Sequence, residues 1–157
     1  MAPIIPNYHD LRAHILNIGR EGDTVLASGI FDVLHVGHVR YLKVAAQYGL
    51  RLLVALNGDA RVRALKGEDR PLVPLAERME MIAAFRCVDY VTSFEEDTPT
   101  EMIRVLRPRV FAKGTDYNAS QELPEECAVL EVGAKMVFCG DPKTHGSRDL
   151  IARMGCF

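Results

Sequence analysis

Hydrophobic positions alternate along the chain between short continuous runs and stretches with helical spacing. Leu11, Ile15 and Ile18 recur at helical intervals within residues 8–18, which predicts a short amphipathic helix stopping near Gly19. Thr24–Ser28 is an apolar run closed by Gly29, as expected of a strand buried on both faces. Residues 37–48 return to helical spacing, with Val39, Leu42, Ala45 and Ala46 inward and Gly49 as the stop. Leu50–Leu56 predicts the second strand. The chain then turns polar: Asn57–Arg70 reads as a charged loop, after which Pro74 and Leu75 open a helix carrying Met79, Ile82, Ala83 and Phe85. Val88–Phe94, Val110–Lys113 and Lys135–Cys139 predict three further strands. Helices are expected over Pro99–Leu106, introduced by Thr98, and over Ser147–Met154, while Asp116–Glu126 is polar and reads as irregular.

Strand and helix in alternation predict an α/β fold, a doubly wound parallel sheet of five strands with right-handed crossovers. The length fits a single domain over 1–157, with 1–22 as an N-terminal helical arm and 24–154 as the α/β core. Ligands of such sheets sit beyond the carboxyl ends of the strands, where the strand order reverses. The segments that follow strands are therefore where chemistry is to be sought.

Composition narrows the partners. A chain of this size buries about 70% of the surface of its unfolded form and needs no metal or disulfide to fold. With 19 basic against 21 acidic side chains there is no global positive field to gather nucleic acid or an anionic membrane. Cys87, Cys127, Cys139 and Cys156 lie far apart with no Cys-x-x-Cys pair, so they read as reduced thiols of a cytoplasmic protein. The apolar start Met1–Ile5 is too short for a signal core, and no stretch approaches the roughly 20 apolar residues of a membrane helix.

The first strand is followed directly by Gly29-Ile30-Phe31-Asp32-Val33-Leu34-His35-Val36-Gly37-His38, which places Gly37 and His38 at the mouth of the next helix. A helix N-terminus offers unpaired N–H groups and a partial positive charge, and two histidines spaced i, i+3 can aim at one anion. Gly29 and Gly37 allow sharp turning and close backbone approach. Zinc would require a third protein ligand, and the spacing is neither His-Glu-x-x-His nor a Cys/His finger. The dinucleotide fingerprint Gly-x-Gly-x-x-Gly and the Walker pattern are both absent. Histidines satisfied as ordinary surface or core residues are the plain alternative to an anion cradle.

Gly29-x-Phe31-Asp32-x-x-His35-x-Gly37-His38 resembles the signature of the cytidylyltransferase-like nucleotidyltransferases, whose HxGH motif is shared with class I aminoacyl-tRNA synthetases. The resemblance continues through Asn57-Gly58-Asp59, Lys66-Gly67, Arg70-Pro71, Arg78-Met79, Val88–Val91, Phe94–Pro99 and Lys113–Tyr117. It is strongest to the enzymes that adenylylate a heptose 1-phosphate, and next to those that cytidylylate glycerol 3-phosphate. It implies a Rossmann-like fold and transfer of a nucleotidyl group from an NTP to a small phosphorylated sugar or polyol, with release of pyrophosphate. Mg²⁺ would accompany the NTP, with Asp32 the one carboxylate at hand for a metal and no protein ligand set otherwise expected.

The same resemblance assigns roles. His35, His38 and Lys66 would be catalytic, the histidines donating to phosphate oxygens as charge builds. Gly29, Ile30, Phe31, Asp32, Gly37, His38, Lys113, Gly114, Asp116, Thr144, Gly146 and Ser147 would bind the nucleotide. Asn57, Asp59, Lys66, Arg70 and Arg78 would meet the acceptor. Thr115 stands where the heptose enzymes carry a second glycine, and Arg148 and Asp149 where they carry small hydroxyl residues. A homodimer is expected by analogy, with no nucleic acid or membrane as partner. The alternatives are cytidylyl transfer to an alcohol phosphate, and a non-catalytic nucleotide-binding protein on the same fold.

Overall fold

The computed structural model describes residues 1–19, 22–115, 123–140 and 150–151. Its centre is a parallel sheet of six strands: β1 (Ile4–Asn7), β2 (Thr24–Gly29), β3 (Arg51–Asn57), β4 (Tyr90–Phe94), β5 (Val110–Gly114) and β6 (Lys135–Cys139). The order across the sheet is β1-β4-β3-β2-β5-β6, and every pairing is parallel. The helices are α1 (Tyr8–Asn17), α2 (Val36–Ala45), α3 (Asp59–Lys66), α4 (Leu75–Ala83), α5 (Thr100–Leu106) and α6 (Glu126–Glu131), and a 3₁₀ turn over Ala46–Tyr48 completes the stretch predicted as one helix after α2.

Strand side chains alternate between two cores, as the period of two requires. On one face Val25, Ala27, Val54 and Leu56 pack with Leu42 and Ala45 of α2 and with Met79 and Ile82 of α4. On the other, Leu26, Leu53, Ala55 and Phe111 pack with Leu11 and Ile15 of α1, Ile103 and Leu106 of α5, and Ala128 and Val129 of α6. α2 and α4 thus cover one face, and α1, α5 and α6 cover the other. The strand order turns back between β2 and β5, the place where doubly wound sheets open a ligand crevice. No helix among the described residues is long and apolar enough to cross a membrane, and Cys87, Cys127 and Cys139 are free thiols.

Three expectations need correction. The sheet has six strands, because Ile4–Asn7 of the expected helical arm pairs with β4, Ile4 beside Val91 and Asn7 beside Ser93. Pro6 within it is tolerable because β1 is an edge strand, where a missing N–H disturbs no second ladder. The charged stretch Asn57–Arg70 contains α3, which buries Val62 alone and so carries no apolar stripe to read. Beyond Asp116–Glu126 lies α6, held by Ala128 and Val129. Of the expected last helix only Leu150 and Ile151, both helical, are among the described residues.

Candidate active site

The loop from Gly29 to His35 leaves β2 at the switch point, and its shape is fixed by its own side chains. Phe31 adopts a left-handed backbone conformation, φ 52°, unusual for a residue with a side chain. Its buried ring lies 5.3 Å from the His38 ring in an edge contact and 6.5 Å from that of Tyr41, whose hydroxyl donates to the Ala112 carbonyl of β5 at 2.8 Å. A Cβ at Gly29 would stand 2.9 Å from the Phe31 ring, so the glycine makes room for that fold of the loop.

His35 is the N-cap of α2, and the motif satisfies its own backbone. The Gly37 N–H donates to His35 Nδ1 at 3.1 Å, and the His35 N–H donates to His38 Nδ1 at 3.3 Å. The ring centroids are 3.9 Å apart. Since each Nδ1 accepts a backbone proton, the neutral form of each ring carries its own proton on Nε2. Both histidines are thereby set as Nε2–H donors, side by side, at a helix N-terminus. A Cβ on Gly37 would lie 2.8 Å from His35 Nδ1 and Cε1, which explains why glycine separates them.

Asp32 is buried, and both of its oxygens are engaged. Oδ2 accepts from Arg70 Nε at 2.7 Å and is paired with Arg70 Nη2, while Oδ1 accepts from the Val73 N–H at 2.9 Å. Both oxygens of this buried carboxylate thus tie the loop after β2 to the segment before α4. Among the described residues no group of three His, Cys, Asp or Glu side chains stands close enough to hold a metal.

Arg78 takes a place other than the expected one against the acceptor. Its side chain is fully buried. Nε donates to the Val73 carbonyl at 2.9 Å, Nη1 to that of Ile30 at 2.5 Å, and Nη2 to that of Asn57 at 2.9 Å and to Asp59 Oδ1 at 2.6 Å. One guanidinium thus ties the loop after β2, the end of β3, the start of α3 and the segment before α4. Asp59 also accepts from the Leu75 N–H at 3.3 Å. Asn57 and Asp59 serve this wall, and Arg70 reaches the histidine loop through Asp32. Lys66 ends α3, exposed and about 10 Å along the helix from Asp59.

Across the switch point, β2 and β5 pair through Ala27 and Ala112, two residues short of Gly29 and Gly114. Gly114 has open space where a Cβ would be. Lys113 is buried and paired at 2.7 Å with Glu125, whose second oxygen is buried and has no hydrogen-bond partner among the described residues. Glu125 was invisible to sequence reasoning, although a lysine at the end of the apolar run Val110–Ala112 signals that a buried anion must be near. Asp116, Thr144, Gly146 and Ser147 lie outside the described residues.

Known proteins carry the same pattern. Residues 26–137 match the family model described as cytidylyltransferase-like. Over 146 residues the chain is 48% identical to the Bifunctional protein HldE of Coxiella burnetii, an alignment covering 92% of this chain and 29% of that protein. Over 93 residues it is 55% identical to the Bifunctional protein HldE of Geobacter metallireducens, covering 59% of this chain and 19% of that one. The chain thus spans less than a third of the length of these curated relatives. Among solved structures, a lipopolysaccharide core biosynthesis protein from Thermoplasma volcanium superposes with a TM-score of 0.62 at 23% identity, over 77% of this chain and 98% of that one. A pantothenate synthetase from Thermus thermophilus superposes with a TM-score of 0.60 at 12% identity, over 87% of this chain and 60% of that one. These two share the fold. With the family model spanning most of the chain and its histidine pair standing at the reversal of the sheet, the chain belongs to the cytidylyltransferase-like family of nucleotidyltransferases.

Proposed function

We propose that this domain transfers an adenylyl group from ATP to the phosphate of a heptose-like sugar 1-phosphate and releases pyrophosphate. The observation that carries the reaction class is the reciprocal capping of His35 and His38, which sets two Nε2–H donors side by side at the N-terminus of α2. The acceptor phosphate is already ionised at neutral pH, so no base and no covalent enzyme nucleophile is required. One of its oxygens attacks the α-phosphorus in line, and the bond to the bridging oxygen of the departing pyrophosphate breaks. Charge grows on that bridging oxygen and on the α-phosphate, where fixed donors stabilise it without reorganising. Mg²⁺ bound to the triphosphate supplies further charge neutralisation. This chain's residues hold and align the phosphates, which is where most of the barrier reduction in such displacements arises. The choice of adenylyl and of a heptose rests on the sequence resemblance and on the similarity to the HldE proteins.

The test is pyrophosphate release with Mg²⁺, crossing ATP, CTP, GTP and UTP with heptose 1-phosphate, glycerol 3-phosphate and other phosphorylated small molecules. ATP with heptose 1-phosphate is expected to give the signal, and His35→Ala or His38→Ala to lower its rate about 10²- to 10³-fold each. A signal from CTP with glycerol 3-phosphate alone would move the substrate assignment to the cytidylyltransferases. Silence across the panel in a protein that still binds an NTP would refute the catalytic reading and leave a nucleotide-binding protein.

A further inference from the structure

The segment between α3 and α4 crosses to the loop after β2 and is held there at two points, both on Asp32. Arg70 donates to Oδ2 through Nε, with Nη2 on the same oxygen, and the Val73 N–H donates to Oδ1 at 2.9 Å. Asp32 is 3% exposed, whereas the Arg70 side chain keeps 21% of its surface in solvent. Among the described residues Arg70 Nη1 has no hydrogen-bond partner. The guanidinium is thus gripped along one edge by a buried carboxylate that stands three residues before His35 in the same loop. A free arginine side chain loses much rotamer entropy when it meets a ligand, and one already fixed by a buried carboxylate loses far less.

We propose that Asp32 is a positioning residue: it sets Arg70 beside the histidine loop so that the remaining guanidinium edge receives an oxygen of the same phosphate chain that His35 and His38 receive. Asp32 then touches neither nucleotide nor metal, in contrast to the ligand contact expected from its place in the motif. The carboxylate acts through the arginine, and the arginine carries the contact. This assignment rests on the nucleotidyl-transfer reading for the identity of the ligand, while the grip itself does not depend on it.

Two measurements separate the parts. Hydrogen exchange of the Val73 amide reads the grip without any ligand: Asp32→Ala, which removes the acceptor, should speed it at least tenfold, and an unchanged rate would overturn the holding role. Binding of inorganic pyrophosphate and of MgATP by calorimetry reads the ligand contact. Asp32→Asn and Arg70→Ala are each expected to weaken both by about 10- to 100-fold, the range for one charge-assisted contact. Adding Asp32→Asn to Arg70→Ala should weaken them no further, because the first acts only through the second. A raised Mg²⁺ requirement in Asp32→Asn that persists without Arg70 would overturn the proposal in favour of a metal ligand. Tighter pyrophosphate binding in Asp32→Asn would overturn it in favour of a carboxylate that competes with the ligand. If the unaltered protein binds neither probe, the nucleotide reading fails and the ligand contact with it, whereas the exchange result still decides the grip. Should Asp32→Ala not fold, Asp32→Ala with Arg70→Met removes both charges together and leaves the Val73 comparison intact.

Discussion

Replacing Arg78 by lysine keeps the charge and changes the shape of the donor set. The guanidinium reaches three carbonyls and one carboxylate from three nitrogens, at 2.5 to 2.9 Å. A lysine ammonium has one nitrogen and can satisfy one or two of those acceptors at once. The others, on Ile30, Asn57 or Val73, lose a charge-assisted partner worth about 1.5–3 kcal/mol each. The expected loss is about 3–5 kcal/mol, the same range as breaking a buried pair by removing one side. For a chain of this length that corresponds to a fall in Tm of about 6–20 °C, taking about 2–4 °C per kcal/mol. Thermal melts and urea unfolding of Arg78→Lys and Arg78→Met measure the two quantities, with MgATP affinity measured on the same samples below the transition. A fall in Tm of under 2 °C with a large loss of nucleotide affinity would refute the reasoning, since it would make Arg78 a ligand contact and not a strut.

Other expectations follow from single contacts. Gly37→Ala pushes the His35 ring off its cap, because the new methyl would lie 2.8 Å from Nδ1. It should lower turnover about 10²-fold while stability stays nearly unchanged, since alanine's helix advantage of up to about 1 kcal/mol over glycine offsets the lost cap; a turnover assay beside a thermal melt checks both. Burial, reinforced by Glu96, pushes the Tyr8 phenol up to about 12 from its ordinary value of 10. A raised acid pKa in the fold gives stability that is complete below pH 10 and lost as pH climbs toward 12, and Tyr8→Phe should flatten that part of the pH–stability curve. Burial also raises the thiols of Cys87 and Cys139. In the native protein at pH 8, iodoacetamide should therefore modify the exposed Cys127 well before these two, an order that peptide mapping reads and that urea should abolish.

How much of this was legible depended on the range of the interaction. The runs Thr24–Ser28, Leu50–Leu56 and Val110–Lys113 announce themselves because both faces of a central strand are buried, and they appear as β2, β3 and β5. β1 hides because its residues are mostly exposed, with Pro3 before it and Pro6 within it, and α3 because Val62 alone anchors it. The decapeptide after β2 revealed the histidines, since a glycine-flanked pair at a helix start is local information. Their reciprocal Nδ1 bonds are also local and follow from the i, i+3 spacing once the helix is known. The partners of Asp32 lie 38 and 41 residues away, and those of the Arg78 guanidinium as far as 48. No periodicity reports such distances. That is why Arg78 read as an acceptor contact, Asp32 as a nucleotide-binding residue or metal carboxylate with no view of its distant partners, and Glu125 not at all.

The Phe31 turn has a thermodynamic consequence. Between Gly29 and His38 the chain is held by the Phe31 ring, by Asp32, by the Ile30 carbonyl on Arg78 and by the two histidine caps, so its conformation is specified before anything binds. A polyphosphate arriving there orders little new backbone, and each residue spared that ordering avoids about 1–2 kcal/mol of entropic opposition. Association at this loop should then proceed without a slow rearrangement phase, and its heat capacity change should be that of docking on a finished surface, well short of the value for coupled folding.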